Sequence, residues 1–469
     1  MRERRYGRTL PEALGEYDRQ APARFHMPGH KGQDWPFAGK LGGWDVTELD
    51  GTDDLAHPAG IIAKTEQRYA KAYGAKASLL LVGGSTAGLH TMALSLGEGK
   101  RVLVGRDCHK NAISALALAG HTAAYLQAPY DARNGIMGMI TATQVQQALE
   151  RCPAQAVLLT SPNYFGMCAD VEAIADAAHA CGAMLLVDSA HGAHFPFSDK
   201  LPDFPANKVD MWCVSAHKTL AAFTQSAVLH IGPSCPLDVS LVRNRRNMLQ
   251  TSSPSYLLMA SLDRALHLAE FQGYERHLER VAILRDRIDR INGLRTLGKE
   301  CLGNGIVAFD PTRIVIDVTL RGIDGRMAAD SLASQDILCE MCDAYHLVLI
   351  TTPQDPDAWY DRLIDGLTHL PYGTGIPVRE PPFDRPGEQV CSLRKAMLCP
   401  AAAVPLTQAA GRVAACTAGV YPPGISVLTP GERVSEAAAG YLLEQQAIGL
   451  TLFGVEDGCI SCMQEEFVI

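Results

Sequence analysis

Leu185-Leu-Val-Asp-Ser-Ala-His-Gly192 is an apolar run that ends abruptly in an acid, a hydroxyl and an imidazole. A second run behaves the same way: Met211-Trp-Cys-Val-Ser-Ala-His-Lys-Thr219 closes on Ser, His and Lys. Short stretches this apolar read as strands buried on both faces, because a strand with one wet face would alternate. Upstream, Ser78-Leu-Leu-Leu-Val82, Arg101-Val-Leu-Val104 and Ala156-Val-Leu-Leu159 repeat the pattern, and Ala183–Val187 carries the first run. Between them the apolar spacing turns helical near 86–97, 110–119, 141–151 and 170–181. Strands alternating with helices predict an α/β core: a parallel sheet covered on both faces. Such sheets bind ligands beyond the carboxyl ends of their strands, where both runs become polar.

The rest of the chain sets bounds on this core. Its 469 residues are enough for about three folding units at roughly 150 residues each. With 47% hydrophobic and 20% charged residues, neither disorder nor a coiled coil is expected. Lys and Arg number 42 against 51 Asp and Glu, a formal charge of −9, so no basic excess calls for nucleic acid or an anionic membrane. No apolar run reaches the roughly eighteen residues of a membrane helix. No apolar stretch follows Met1-Arg-Glu-Arg-Arg-Tyr6, so no secretory signal is expected. The 14 cysteines are scattered singly through apolar stretches, which suits reduced thiols in the cytoplasm. Cys339/Cys342 and Cys459/Cys462 form CxxC pairs, but no His pair completes a zinc set, so no metal site is expected. The second pair keeps a redox reading open.

Punctuation divides the chain into four parts. Residues 1–60 carry too many Pro and Gly for long regular elements and read as an N-terminal arm. Residues 61–255 hold the α/β core. Residues 256–375 open with one long amphipathic pattern over 255–291, with Leu262, Leu266, Leu278, Val281, Leu284 and Ile288 on one side, and continue as a smaller α+β unit. The Pro-rich stretch at 376–386 reads as a linker to a last α+β unit, making 376–469 the C-terminal domain.

Three places combine into one chemistry. Leu81-Val-Gly-Gly-Ser-Thr-Ala-Gly-Leu-His90 runs from a strand through glycines and hydroxyls into a helix, presenting free backbone N–H groups to an anion. It matches neither dinucleotide nor Walker patterns, and taken alone it reads equally as an ordinary strand–helix turn. Asp188 stands at a strand's carboxyl end, where it meets a ligand or caps the next loop. Lys218 follows the next run: desolvation there would make it a nucleophile toward aldehydes, though a lone lysine usually snorkels to solvent. Pyridoxal 5′-phosphate needs all three: a phosphate cup, an acid for its pyridine nitrogen, and a lysine for the Schiff base. Their order along the chain resembles that of the aspartate-aminotransferase-like, fold-type-I enzymes.

Longer motifs narrow the resemblance. Arg24-Phe-His-Met-Pro-Gly-His-Lys-Gly32, Asp45-Val-Thr-Glu-Leu-Asp-Gly-Thr-Asp-Asp-Leu55, Arg106-Asp-Cys-His-Lys110, Thr251-Ser-Ser-Pro-Ser-Tyr256 and Tyr421-Pro-Pro-Gly-Ile-Ser-Val-Leu-Thr-Pro-Gly-Glu432 resemble the class-I Orn/Lys/Arg decarboxylase family, in its compact form without the N-terminal wing domain. The resemblance implies an α/β, fold-type-I PLP-dependent transferase fold, a mostly parallel sheet flanked by helices, with a smaller α+β domain and a C-terminal α+β domain. It implies Lys218 as the Schiff-base lysine, Asp188 on the pyridine nitrogen, and His109 stacked on the ring and aiding proton transfer. Ser85, Thr86, Ser215 and His217 would hold the phosphate, with Ala87 beside them in the loop, Ala190 packed against the ring, and Ser252 reaching in from a second subunit. A site completed by a neighbour implies a homodimer or larger assembly.

The implied reaction is decarboxylation of a basic amino acid in polyamine-type metabolism, arginine first and lysine or ornithine next. Another PLP reaction on the same scaffold (lyase or aminotransferase) and a catalytically silent regulatory homologue are the alternatives. The substrate's distal cation needs an acid, and Glu48, Asp53, Asp54 and Glu432 are the candidates, each equally readable as a solvated or capping carboxylate. Three departures from the family pattern bear on substrate preference: Ser189 replaces the usual Glu, Ala216 the usual Thr, and Ala415-Cys416 stands where an acid often precedes the Tyr-Pro-Pro-Gly segment.

Overall fold

A computed structural model describes residues 17–33, 41–375, 387–421, 425–447 and 449–468. Seven strands make the central sheet: β1 (Ala77–Leu81), β2 (Arg101–Gly105), β3 (Thr122–Leu126), β4 (Ala156–Thr160), β5 (Met184–Asp188), β6 (Met211–Val214) and β7 (Ala227–Ile231). Their order is β1-β7-β6-β5-β4-β2-β3. The three strand runs read upstream and the two that opened the sequence reading all appear, within a residue or so of the expected bounds.

The sheet is mostly parallel, as the family resemblance implies, and β7 is its exception. β7 runs antiparallel to both β6 and β1, and the remaining pairs are parallel. Residues 215–226 bring the chain back beside β6 with only the single helical turn Ala216–Thr219 on the way, and with no crossover helix the return is antiparallel.

Helices α1 (Gly84–Ser95), α2 (Lys110–Leu118), α3 (Ala142–Arg151) and α4 (Val171–Ala180) separate the first five strands. They close the sheet between two apolar layers. Val157, Leu159, Leu185, Val187 and Trp212 point into one, and Leu79, Leu81, Val102, Val104 and Cys213 into the other. Alternation of side chains across a strand produces this split, and helices on both sides explain why neither half is polar. Gly88 lets α1 lie tight on the sheet, because a Cβ there would sit 2.8 Å from the Cβ of Cys213.

The long helix expected over 255–291 is two helices, α5 (Tyr256–Gln272) and α6 (Glu275–Asp289). Ser255 caps the first through the N–H of Leu258. Gly273 ends it at φ +62°, a conformation that costs glycine little and breaks the α-helical path. The apolar stripe resumes after the break, so periodicity alone hid it.

Beyond α6, β8 (Arg295–Thr296), β9 (Arg313–Asp317), β10 (Met341–Cys342) and β11 (His346–Ile350) form a second sheet, ordered β8-β9-β11-β10. Residues Ala23–Phe25 pair in parallel with Ile337–Cys339, so the start of the chain is stitched to this smaller unit. The Pro-rich stretch 376–386 and residues 422–424 lie outside the described residues. Further on, two three-stranded sheets and the helix Glu436–Ala447 enclose their own apolar cluster, with Leu406, Leu428, Leu442 and Ile460 inside.

All 14 cysteines are free. Cys459 and Cys462 lie in one strand, three positions apart, and therefore face opposite sides. Among the described residues no helix is long and apolar enough to cross a membrane, and no cluster of His, Cys, Asp and Glu could hold a metal ion.

Candidate active site

A cavity of about 360 Å³ opens at the carboxyl ends of β1, β2, β4, β5 and β6. It lies within the roughly 300–1,000 Å³ usual for small-molecule sites. Both polar strand ends meet there. Asp188 closes β5 and Lys218 follows β6, and since those strands are hydrogen-bonded neighbours the two residues share one cavity.

Asp188 is 4% exposed and accepts hydrogen bonds from the N–H of Ala190 (3.1 Å) and, weakly, from the thiol of Cys213 (3.9 Å). Burial raises its pKa, while the Lys218 charge and the two donors work against that rise. No cation forms an ion pair with it among the described residues, so a buried carboxylate faces the cavity short of a positive partner. Burial likewise lowers the pKa of Lys218, against the pull of Asp188 and Glu340. Its Nζ lies 2.9 Å from Nε2 of His191 and 5.9 Å from the centre of the Tyr164 ring.

The anion cup forms where α1 begins. Gly84 takes φ +70°, which turns the chain from strand to helix and leaves the first N–H groups at the cavity. Ser215 donates to the hydroxyl of Ser85 across 2.9 Å, linking the ends of two strands. Thr86 accepts from the Asn111 amide at 2.6 Å and lines the same wall. His217 bonds through Nδ1 to the carbonyl of Ser226 (3.0 Å), and burial pushes its pKa down to about 4. His109 caps α2 by accepting from the N–H of Asn111 and is pushed to about 4 by burial and the neighbouring Lys218.

Lys218, Asp188, His109, Ser85, Thr86, Ala190, Ser215 and His217 all line the cavity. Two expected positions do not. Ala87 is one step further along α1 and packs into the core beneath. Ser252 lies exposed in the turn before α5, away from this chain's cavity.

The four acids considered for a distal cation are engaged elsewhere. Asp53 collects backbone N–H groups from Asp54, Ala59, Gly60, Ile62 and Ala63, as a capping carboxylate does. Asp54 accepts from the N–H of Ala56 and contacts His57, and Glu48 accepts from the Thr47 hydroxyl. Glu432 is buried in a two-pronged pair with Arg106, at 2.5 and 2.7 Å, which ties the C-terminal unit to the end of β2. Of the departures, Cys416 donates to backbone carbonyls of Gly454 and Ser461.

Sequence reasoning missed a second set of residues around the lysine. Tyr164 lines the cavity and donates to Glu340 at 2.5 Å, and the other oxygen of Glu340 accepts from the N–H of Met27. His191 and Arg313 stand behind Lys218, with Arg313 Nη2 2.8 Å from His191 Nδ1. The signals were present but weak: His191 belongs to the opening motif, and Arg313 begins a strand that is otherwise wholly apolar up to Asp317.

This is the fold-type-I architecture of pyridoxal-phosphate enzymes. Among solved structures, the constitutive lysine decarboxylase of Escherichia coli superposes with a TM-score of 0.76 at 18% identity, covering 91% of this chain and 76% of that one. Models of the Orn/Lys/Arg decarboxylase major domain and C-terminal domain match residues 9–358 and 389–459, and the chain belongs to that family. An arginine decarboxylase of Bacillus anthracis is 33% identical over 96% of each chain. Another, from Halalkalibacterium halodurans, is 34% identical over 93% of each.

Proposed function

We propose that the chain is a pyridoxal 5′-phosphate-dependent decarboxylase of basic amino acids, with arginine as the first substrate and lysine or ornithine next. The observation that carries this reading is the meeting of Lys218, Asp188 and the Ser85–Ser215 pair in one cavity. Its donor set fits the cofactor: an amine for an aldehyde, an unpaired buried carboxylate for a pyridinium, and hydroxyls at a helix N-terminus for a phosphate. The named relatives at 33% and 34% identity support arginine as the substrate.

In this reading Lys218 would hold the cofactor through its aldehyde, and Asp188 would keep its ring nitrogen protonated. Ser85, Thr86, Ser215 and His217 would bind the phosphate, and His109 and Ala190 would pack against the ring. When bound, the cofactor supplies the electron sink for the pair released as carbon dioxide departs. Asp188 would keep a positive charge on the ring nitrogen toward which that pair moves, and the walls would fix the substrate's orientation. The proton that replaces carbon dioxide on the substrate's α-carbon would come from a protonated group at the cavity wall, Lys218 or a histidine.

We further read residues 1–60 as an arm, 61–255 as the cofactor domain, 256–375 as the small domain and 376–469 as the C-terminal domain. The protein acts in the cytoplasm in polyamine-type metabolism, as a homodimer or larger assembly in which Ser252 serves the neighbouring site. Carbon dioxide release, measured separately with arginine, lysine and ornithine and with each amine product identified, tests the function. Release with agmatine as product is expected from arginine. Silence on all three, in protein with its cofactor bound, would overturn the reading.

A further inference from the structure

Behind Lys218 runs a hydrogen-bonded chain whose direction is fixed by its last member. Arg313 is 1% exposed; it donates to the carbonyl of Tyr164 at 3.3 Å, and its Nη2 lies 2.8 Å from Nδ1 of His191. His191 is 4% exposed, with Nε2 2.9 Å from Nζ of Lys218 and the Tyr164 ring edge-on at 4.7 Å. We propose that Arg313 and His191 form a one-way relay that holds Lys218 as a neutral amine before the cofactor arrives, which makes both of them positioning residues. The proposal rests on reading Lys218 as the cofactor's amine, although its test does not require the cofactor.

A guanidinium has five N–H donors, no acceptor, and stays charged inside proteins. The nitrogen that faces it at 2.8 Å must therefore offer a lone pair, so Nδ1 of His191 carries no hydrogen. A neutral imidazole then has its one N–H on Nε2, and an imidazolium is excluded because it would turn an N–H toward Arg313. That Nε2–H points at Nζ of Lys218. An ammonium has three donors and no lone pair, so donor would face donor; a neutral amine accepts. The neutral amine is also the form with an electron pair to offer an aldehyde carbon.

The charges around the relay divide. Asp188 and Glu340 favour the ammonium form of Lys218, whereas burial and Arg313 oppose it, and Cys213 beside them is held as a thiol by burial. Around His191 stand Lys218, Arg313, His109 and His217, all of which disfavour a further positive charge. The relay sets the balance against two carboxylates.

The full chain, with its cofactor withdrawn and its histidines ¹⁵N-labelled, gives the direct test. His191, assigned by the signal lost in His191→Gln, is expected as the Nε2–H form between pH 6 and 9. An Nδ1–H form or an imidazolium in that range overturns the relay. A second readout follows acetylation of Lys218 against pH by peptide mass. Arg313→Met and His191→Leu should label about tenfold more slowly at neutral pH, the worth of one hydrogen bond in the balance between amine and ammonium. His191→Gln should label like the wild type, because its amide offers an acceptor and a donor in the same order. Unchanged labelling in a folded Arg313→Met protein also overturns the proposal; should that variant not fold, the wild-type spectrum still decides. If borohydride reduction of the loaded protein marks a lysine other than Lys218, the functional reading fails while both relay measurements stand.

Discussion

Two lysines are removed from bulk water in this molecule, and their surroundings differ in kind. Lys31, in the stretch that precedes the core, is 1% exposed and donates to three carbonyls: Arg24 (3.0 Å), His26 (3.1 Å) and Ile350 (2.7 Å). Asp355 lies 3.6 Å from its Nζ. Each of its three protons has an acceptor, so the ammonium is wholly committed to joining the first strand to the small sheet. Lys218 has a cavity on one side and an imidazole on the other. Burial lowers the pKa of both lysines. What separates a staple from a reactive group is therefore not burial but the number of acceptors, since an ammonium with a full set has nothing left to give.

The largest effects come from exchanging each lysine for an uncharged side chain. Lys218→Ala should abolish turnover and the visible absorbance of the loaded protein, with the urea midpoint little changed, because the open cavity lets water meet His191 in its place. Lys31→Met should do the opposite. It leaves Asp355 buried beside an apolar chain, and breaking a buried pair from one side costs about 3–5 kcal/mol. Carbon dioxide release at a temperature where Lys31→Met is still folded should stay near the wild-type value. Loss of activity in a folded Lys31→Met protein would remove the distinction between the two lysines.

The same contrast between sealed and open positions governs acid sensitivity. His230 is sealed: Ser78 bonds to its Nδ1 at 2.7 Å, while Tyr73 and Trp212 stack on its faces. Burial pushes its pKa from 6.5 to about 3. Between those values the unfolded chain binds a proton that the folded chain refuses, so unfolding takes up protons and acid favours it. The contribution is complete above pH 6.5 and drains away as pH falls toward 3. Urea midpoints measured from pH 7 to 4 should therefore decline, and His230→Phe should flatten the decline while sparing activity at neutral pH. An unaltered slope would mean that other groups carry it, such as His277, which burial also pushes to about 3.

How much of this was legible in sequence follows from where the information lies. The core strands announced themselves because burial on both faces demands uninterrupted apolar residues, and Asp188 and Lys218 were conspicuous as the polar ends of such runs. Asp188 and Lys218 also sit on adjacent strands, so a single rule about strand ends brought them together. Glu340 and Arg313 obey no such rule. They come from the loop before β10 and the first residue of β9, and only the docking of the small sheet against the large one sets them near Lys218 and Tyr164. Tyr164 does follow a strand end, four residues past β4, but no charged or motif residue marked it out. The break at Gly273 escaped because the apolar spacing runs on across it, although Leu262 and Leu266 of α5 pack into the large core and Val281, Leu284 and Ile288 of α6 into the small one. Glu432 misled because an acid in a distinctive motif looks functional, when its partner Arg106 stands hundreds of positions away in the chain.

The smallest effect tests which side of the comparison Tyr164 belongs to. Its ring meets His191 edge-on and lies 5.9 Å from Nζ of Lys218, whereas its hydroxyl turns to Glu340, which also holds the N–H of Met27. Ring and hydroxyl thus serve different regions: the ring walls the cavity, and the hydroxyl fastens the small unit to it. Tyr164→Phe keeps the first and removes the second. Glu340 is only partly buried, so water can take the vacant place, and the cost should be about 0.5–1.5 kcal/mol in urea midpoint with turnover nearly unchanged. A deep fall in turnover at unchanged stability would reassign the hydroxyl to the chemistry, and Glu340 with it, because a fastening bond cannot slow a reaction without loosening the fold.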